Sequence, residues 1–225
     1  MSVVSDTIDW LSDSTHWSGD DGVPNRLVEH LGYTAETIAI AGVIAIPIGL
    51  WIGHTGRFRS FAVGLTGAMR ALPTLGLLTA IALYLGIGLT APLVALVILA
   101  VPPLLAGAYA GIESVDRQTI DAARAMGMNE WQILSKVEVP LALPIIVGGI
   151  RSAVLQVVAT ATVAAYVGLG GLGRYLIDGQ AVSDYAQMAG GSVLVIALAL
   201  ALDAVFAALQ GIALGRRPKT HPSHA

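Results

Sequence analysis

The chain has 225 residues, of which 55% are hydrophobic and 12% charged, and its formal net charge is −3. It carries more apolar surface than one soluble core could bury, which excludes an ordinary soluble domain and favours a membrane protein. No cysteine occurs, so disulfides, a thiol nucleophile and cysteine-ligated metals are excluded as well.

The first 32 residues form a polar segment with six acidic side chains, Asp6, Asp9, Asp13, Asp20, Asp21 and Glu29. The segment lacks the basic start and apolar core of a cleavable signal peptide. We therefore expect the first membrane span to direct its own insertion and residues 1–32 to lie on the outer side of the membrane.

Hydropathy predicts five membrane spans, because about 20 apolar helical residues cross the roughly 30 Å hydrocarbon layer. Four are largely apolar runs, at residues 33–52, 91–110, 144–167 and 190–214. The other run, 61–87, contains Arg70 and Pro73. It is either one broken helix or an interfacial helix followed by a span, because proline removes a helical hydrogen bond.

Residues 112–143, between the third and fourth spans, are amphipathic. Their charged side chains alternate with apolar ones at helical spacing: Asp116, Arg117, Asp121, Arg124, Glu130, Lys136 and Glu138. This pattern predicts a water-exposed helical loop. A glycine-rich polar loop follows the fourth span, and residues 215–225 form a basic tail.

The distribution of lysine and arginine predicts the orientation of the chain. With the amino terminus outside, the outer segments hold only Arg26 and Arg174. The inner segments then hold Arg57, Arg59, Arg117, Arg124, Lys136, Arg216, Arg217 and Lys219. Because cytoplasmic loops are enriched in these residues, we expect an N-out, C-in topology. The transmembrane domain would be residues 33–214, with the 112–143 loop and the basic tail in the cytoplasm.

The 112–143 loop contains Asp121-Ala122-Ala123, then Gly127, and later Val137-Glu138-Val139-Pro140. This run resembles the EAA signature of ABC importer permeases, with aspartate in place of glutamate and two valines in place of isoleucine and leucine. The resemblance implies a cytoplasmic coupling helix that docks a separate ATPase through Asp121, Ala122, Ala123, Gly127 and Pro140. Small alanines would allow close approach, Gly127 would turn the helix, and Pro140 would end the next one. A merely solvated loop is the alternative.

Other stretches resemble the permeases of glycine betaine, carnitine and choline importers, namely residues 29–31, 70–78, 140–144 and 149–151. The likeness is lost at Ala106-Gly107-Ala108, where many relatives carry Arg-Asn-Thr. The resemblance implies an all-α, five-span type I (MetI-like) permease fold in a bacterial or archaeal plasma membrane. It also implies a second permease copy or a related permease, an extracytoplasmic substrate-binding protein, and osmoprotectant import by alternating access.

Gly168, Gly170, Gly171 and Gly173 match the spacing of a dinucleotide fingerprint, but they follow a membrane span and not a strand. A tight outer loop is the better interpretation, because glycine adopts backbone angles closed to other residues. Similar runs occur in permeases for quaternary amines and for methionine. Within the transporter class, a permease for methionine or another small organic solute is therefore the alternative.

No Gly-x-x-x-x-Gly-Lys-Ser/Thr sequence occurs, so we expect ATP and Mg²⁺ on the partner ATPase and assign no catalytic residue to this chain. The five histidines show no metal-ligand spacing, so neither a metal nor another cofactor is expected. Two alternatives come from other classes. An intramembrane hydrolase would need two aspartates or a serine–histidine pair at depth, and a passive channel would need no docking loop.

Arg70, Arg151 and Asp203 lie within predicted spans, where an unpaired charge is costly. At about 1.5 Å per residue their depths are similar, so Asp203 is predicted to pair with Arg70 or Arg151. Gln156 and Gln210 are expected to form interhelical hydrogen bonds. Four residues are assigned either to the translocation path or to packing within the bundle: Arg70, Pro73, Arg151 and Asp203.

Overall fold

The computed structural model describes residues 3–86 and 88–215, with side chains up to residue 212. These residues form helices and no strands. The α-helices are α1 (Val3–Ser12), α2 (Val23–Thr55), α3 (Arg59–Arg70), α4 (Thr74–Leu85), α5 (Thr90–Glu113), α6 (Arg117–Ala125), α7 (Glu130–Ile133), α8 (Val139–Ala164), α9 (Gly173–Val182) and α10 (Tyr185–Gly215). The all-α fold predicted from the sequence is confirmed.

Four helical segments of the described chain are long and apolar enough to cross a membrane: α2, α5, residues 130–167 and α10. A fifth is present if α3 and α4 together count as one broken span. Their axes differ by 87°, and Pro73 is the N-cap of α4. The proline therefore lies where the chain changes direction, outside the hydrogen-bonded interior of either helix.

The first long helix begins at Val23, well before the predicted start at residue 33. Pro24 lies in its first turn, where the missing N–H of proline has no helical partner to lose. Asp9, Asp13, Asp20 and Asp21 are exposed, but some polar side chains of this stretch face other parts of the chain. His30, for example, is fully buried and lies 3.0 Å from the carbonyl oxygen of Val158.

The prediction that Pro140 ends a helix is wrong. Residues 130–167 form one continuous helical segment, and Pro140 lies in the first turn of α8. A π-helical turn, Leu134–Glu138, precedes it, and the N–H of Val139 bonds to the carbonyl of Leu134, five residues earlier. This wider turn allows the helix to continue past a residue that cannot donate.

Small residues bring α2, α5 and α8 close together. A Cβ added at Gly107 would lie 2.5 Å from the Cα of Gly149, and one at Gly49 would lie 2.7 Å from the Cβ of Ala108. Backbones that approach so closely gain van der Waals contact, which drives helix association in lipid. The core of the bundle is therefore these three helices.

The last helix, α10, lies outside that core. Its most apolar 18-residue window contains no buried residue. Gln210 donates a hydrogen bond to the carbonyl of Pro144 at 3.0 Å, and Gln156 donates to the carbonyl of Leu99 at 3.0 Å. The two glutamines thus form the expected interhelical bonds, and the first of them attaches α10 to α8.

Candidate functional site

Helices α6 and α7 form a compact turn between α5 and α8. Asp116 caps α6 by accepting a hydrogen bond from the N–H of Gln118 at 3.0 Å. Gly127, with φ of 84°, ends that helix in the left-handed conformation that favours glycine. Asn129 and Gln132 then cap α7 with reciprocal bonds of 2.9 Å. Local sequence signals thus set both ends of the turn.

The residues predicted to dock an ATPase fall on two faces of this turn. Asp121, Ala122 and Pro140 are exposed. The small side chain of Ala122 leaves space on the solvent-exposed side of α6. Ala123 is 2% exposed and packs with Ile120 and Ile133. Ala123 is therefore small because it packs inside this chain, which corrects the expectation that both alanines face a partner.

A network of charges holds the turn against the bundle. Arg124 makes a two-pronged contact with Glu130, at 2.9 and 3.0 Å, and a longer one of 3.3 Å with Asp121. Glu130 and the buried Glu138 both face His54, at the end of α2. The sequence gives no local signal for these contacts, because His54 and Glu138 are 84 residues apart.

Among the charges predicted at membrane depth, Asp203 pairs with Arg151. Two parallel contacts of 2.7 Å join the guanidinium on α8 to the carboxylate on α10. Arg70 is exposed at the end of α3, close in sequence to Pro73, and forms no ion pair with any residue in the described ranges. Arg151 and Asp203 therefore form an ion pair, whereas Arg70 and Pro73 lie at the break between α3 and α4.

The glycine run from 168 to 173 follows the end of α8 and closes against α2. Gly168 and Gly171 have positive φ values of 97° and 78°. The N–H of Gly171 donates a 2.8 Å hydrogen bond to Glu29, which Arg26 also contacts at 2.8 Å. A Cβ at Gly173 would lie 2.5 Å from the carbonyl oxygen of Thr162. A Cβ at Gly170 would likewise lie 2.5 Å from Oε2 of Glu29. These constraints explain the glycines without a nucleotide.

Beside this loop, a cavity of about 360 Å³ lies between α1, α2 and α9. Its polar side chains include Asp21, Arg26, Arg174 and Asp178. Tyr175 lines the cavity and donates a 2.7 Å hydrogen bond to the carbonyl of Asp21. Burial raises the pKa of the Tyr175 phenol. The hydrogen bond from Tyr175 fastens α9 to the segment before α2, whereas the charges pair within their own segments, Arg26 with Asp21 and Arg174 with Asp178.

Comparisons with known proteins agree on one kind of protein. A family model, "Binding-protein-dependent transport system inner membrane component", matches residues 45–217. The chain is 31% identical to the carnitine transport permease protein OpuCB of Listeria monocytogenes, over 78% of this chain and 80% of that protein. It is 32% identical to the glycine betaine/carnitine/choline transport system permease protein OpuCB of Bacillus subtilis, over 80% and 82%.

Two solved structures have a similar fold. One is a chain of the MetNI methionine ABC transporter in an inward-facing conformation, with a TM-score of 0.74, 24% identity and coverage of 85% of this chain and 95% of that chain. The other belongs to an amino acid ABC transporter, with a TM-score of 0.65, 20% identity and coverage of 96% and 99%. The predicted type I importer fold is therefore confirmed.

Proposed function

Because this chain belongs to the family of binding-protein-dependent transport system inner membrane components, we propose that it is the permease of an ATP-driven importer of glycine betaine, choline or carnitine. Support for the solute class comes from the relatives, whose names specify carnitine and glycine betaine/carnitine/choline transport. The chain performs no chemistry. ATP and Mg²⁺ are bound by a separate ATPase, and an outer binding protein delivers the solute.

The observation that carries this proposal is the exposed α6–α7 turn between two membrane helices. Its inner side is anchored by Ile120, Ala123 and Ile133, while Ala122 leaves room for a partner on the outer side. A short amphipathic helix anchored in this way is suited to a groove on another protein. The ATPase would push α6, and the permease would respond as a largely rigid bundle.

We place the turn in the cytoplasm and the glycine run outside, in a bacterial or archaeal plasma membrane. The support is the excess of lysine and arginine on the side of the turn. A second permease, identical or related, would cover the exposed side of α10 and the α3–α4 break, where Arg70 and Pro73 would face the path. We assign the Arg151–Asp203 pair to packing, because each charge is satisfied by the other.

The test is uptake of radiolabelled glycine betaine by cells that lack their own osmolyte transporters. These cells would express this chain with the ATPase and binding protein encoded beside it. We expect ATP-dependent accumulation that unlabelled betaine, choline or carnitine reduces. Competition by methionine alone would refute the solute class and favour the methionine alternative, and uptake that persists without ATP would refute the importer.

A matched pair of substitutions tests the docking surface. Ala122→Trp adds bulk to the exposed side of α6, whereas Ala181→Trp makes the same change at an exposed alanine of α9. We expect the first variant to lose copurification of the ATPase and the second to retain it. Equal copurification by both variants would contradict the assignment of this face.

A further inference from the structure

Two carboxylates from the α7–α8 region converge on one histidine at the end of α2. His54 lies in the last turn of that helix, just before the left-handed Gly56. Its Nδ1 is 2.5 Å from Oε2 of Glu138, and its Nε2 is 3.2 Å from Oε2 of Glu130. An imidazolium satisfies this arrangement by donating through both nitrogens.

The contact between His54 and Glu138 is buried inside the protein. The side chain of Glu138 is 3% exposed and that of His54 is 12% exposed. A buried carboxylate is costly unless a partner compensates it. Among the described residues, the ion-pair partner of Glu138 is His54. Removing the imidazole would therefore leave a buried charge unmatched.

The contacts continue from His54 to the docking helix. Glu130 touches His54 through one oxygen and is held by Arg124 through both. Arg124 belongs to α6, three residues after Asp121 of the docking motif. A chain of charge-assisted contacts thus leads from α6 through α7 to the end of α2.

At that point α2 cannot move independently of α5. A Cβ at Gly53, next to His54, would lie 2.7 Å from the Cβ of Ile112. A Cβ at Gly49, one turn earlier, would lie 2.7 Å from the Cβ of Ala108. Close-packed helices shift as units because their interface leaves no free space. A displacement of His54 is therefore passed to two membrane helices.

We propose that His54 is a positioning residue that ties the docking turn to the membrane bundle, so that a movement of α6 driven by the ATPase becomes a movement of α2. The proposal rests on the proposed function and deepens it, because His54 lies outside the docking motif. A permease without this tie would still bind its ATPase through the exposed side of α6. ATP hydrolysis would then continue, but the movement of α6 would be passed only weakly to the membrane helices.

The first experiment measures betaine uptake and ATP hydrolysis in the same proteoliposomes, which contain this chain, its ATPase and the binding protein. For His54→Ala we expect unchanged copurification of the ATPase and about tenfold less betaine moved per ATP hydrolysed. Ser135→Ala is the control, because among the described residues that exposed hydroxyl bonds only to the carbonyl of Trp131, in the same helical segment. Glu138→Gln keeps an acceptor for His54 and should retain most of the coupling.

The second experiment does not depend on the solute. Because the chain has no cysteine, spin labels can be placed at Thr55→Cys and Gln118→Cys without other changes. We expect a narrow distance distribution between α2 and α6 that broadens with His54→Ala, in the chain alone and with the ATPase bound.

The outcomes separate the two proposals. A narrow distribution in His54→Ala, or an unchanged ratio of uptake to hydrolysis, would overturn the role of His54. Equal loss of coupling in His54→Ala and Ser135→Ala would overturn it as well. By contrast, wild-type vesicles that hydrolyse ATP without moving betaine would refute the proposed solute, while the labelled distances would still test His54.

Discussion

Alanine at residue 107 should push α5 and α8 apart, because the two helices touch through glycine backbone. A Cβ there would lie 2.5 Å from the Cα of Gly149 and 3.2 Å from its nitrogen. Carbon atoms in contact prefer a separation of about 3.5 to 4.0 Å. The helices must therefore separate by about 1 Å, since the obstacle is backbone and cannot rotate away.

The size of the effect follows from two opposing terms. Overpacking costs about 1 to 3 kcal/mol, with the upper end expected against backbone. Alanine gains about 1 kcal/mol over glycine inside a helix. The net loss in the free energy of unfolding is then about 2 kcal/mol. For a chain of this size that corresponds to a melting temperature about 4 to 8 °C lower.

The assay is thermal unfolding of the purified protein in detergent, followed by the fluorescence of its four tryptophans. Gly42→Ala in α2 is the matched control, because its Cβ would meet only Ile46 of the same helix, at 3.7 Å. We expect this control to melt at or slightly above the wild-type temperature. If Gly107→Ala also melted at or above the wild-type temperature, the close contact between α5 and α8 would be refuted.

Three further predictions concern the polar contacts. Asp203→Asn should reduce betaine uptake, and exchanging the charges in Asp203→Arg with Arg151→Asp should restore part of it; failure of the exchange would contradict the pairing. Gly171→Ala should lower the melting temperature, because a side chain at φ of 78° costs about 1 to 2 kcal/mol, whereas Gly32→Ala, with open space around its Cβ, should not. Because burial raises the pKa of Tyr175, the neutral phenol is favoured in the fold. Stability should thus fall as pH rises above about 10, and Tyr175→Phe should lose less stability over that range.

Periodicity and hydropathy predicted the long helices well, because a long run of apolar residues is stable as a helix surrounded by lipid. The third predicted span, 91–110, lies within α5, for example. Helix ends were less predictable. At Pro140 the chain inserts a π turn, and at Val23 it starts a helix with residues that looked exposed. At the start of α2, contacts such as that of His30 with Val158 outweigh the local signal; at Pro140 the wider turn accommodates the missing N–H.

Pairings between distant residues lie beyond what one sequence can show. Depth along a helix left both Arg70 and Arg151 open as partners for Asp203, because depth says nothing about which side of a helix faces another. The structure pairs Asp203 with Arg151. His54 follows the first predicted span and Glu138 belongs to the amphipathic loop, and only folding brings the two together.

The small residues at 106–108 gain a physical reason from the same packing. Gly107 lies against Gly149, and Ala108 is fully buried against Gly49. Larger side chains at these positions would require wider spacing between α5 and its neighbours. The small residues therefore go with the close packing of α2, α5 and α8. Such packing would pass a displacement of His54 to the whole core, so a looser variant such as Gly107→Ala should also weaken the coupling between hydrolysis and uptake.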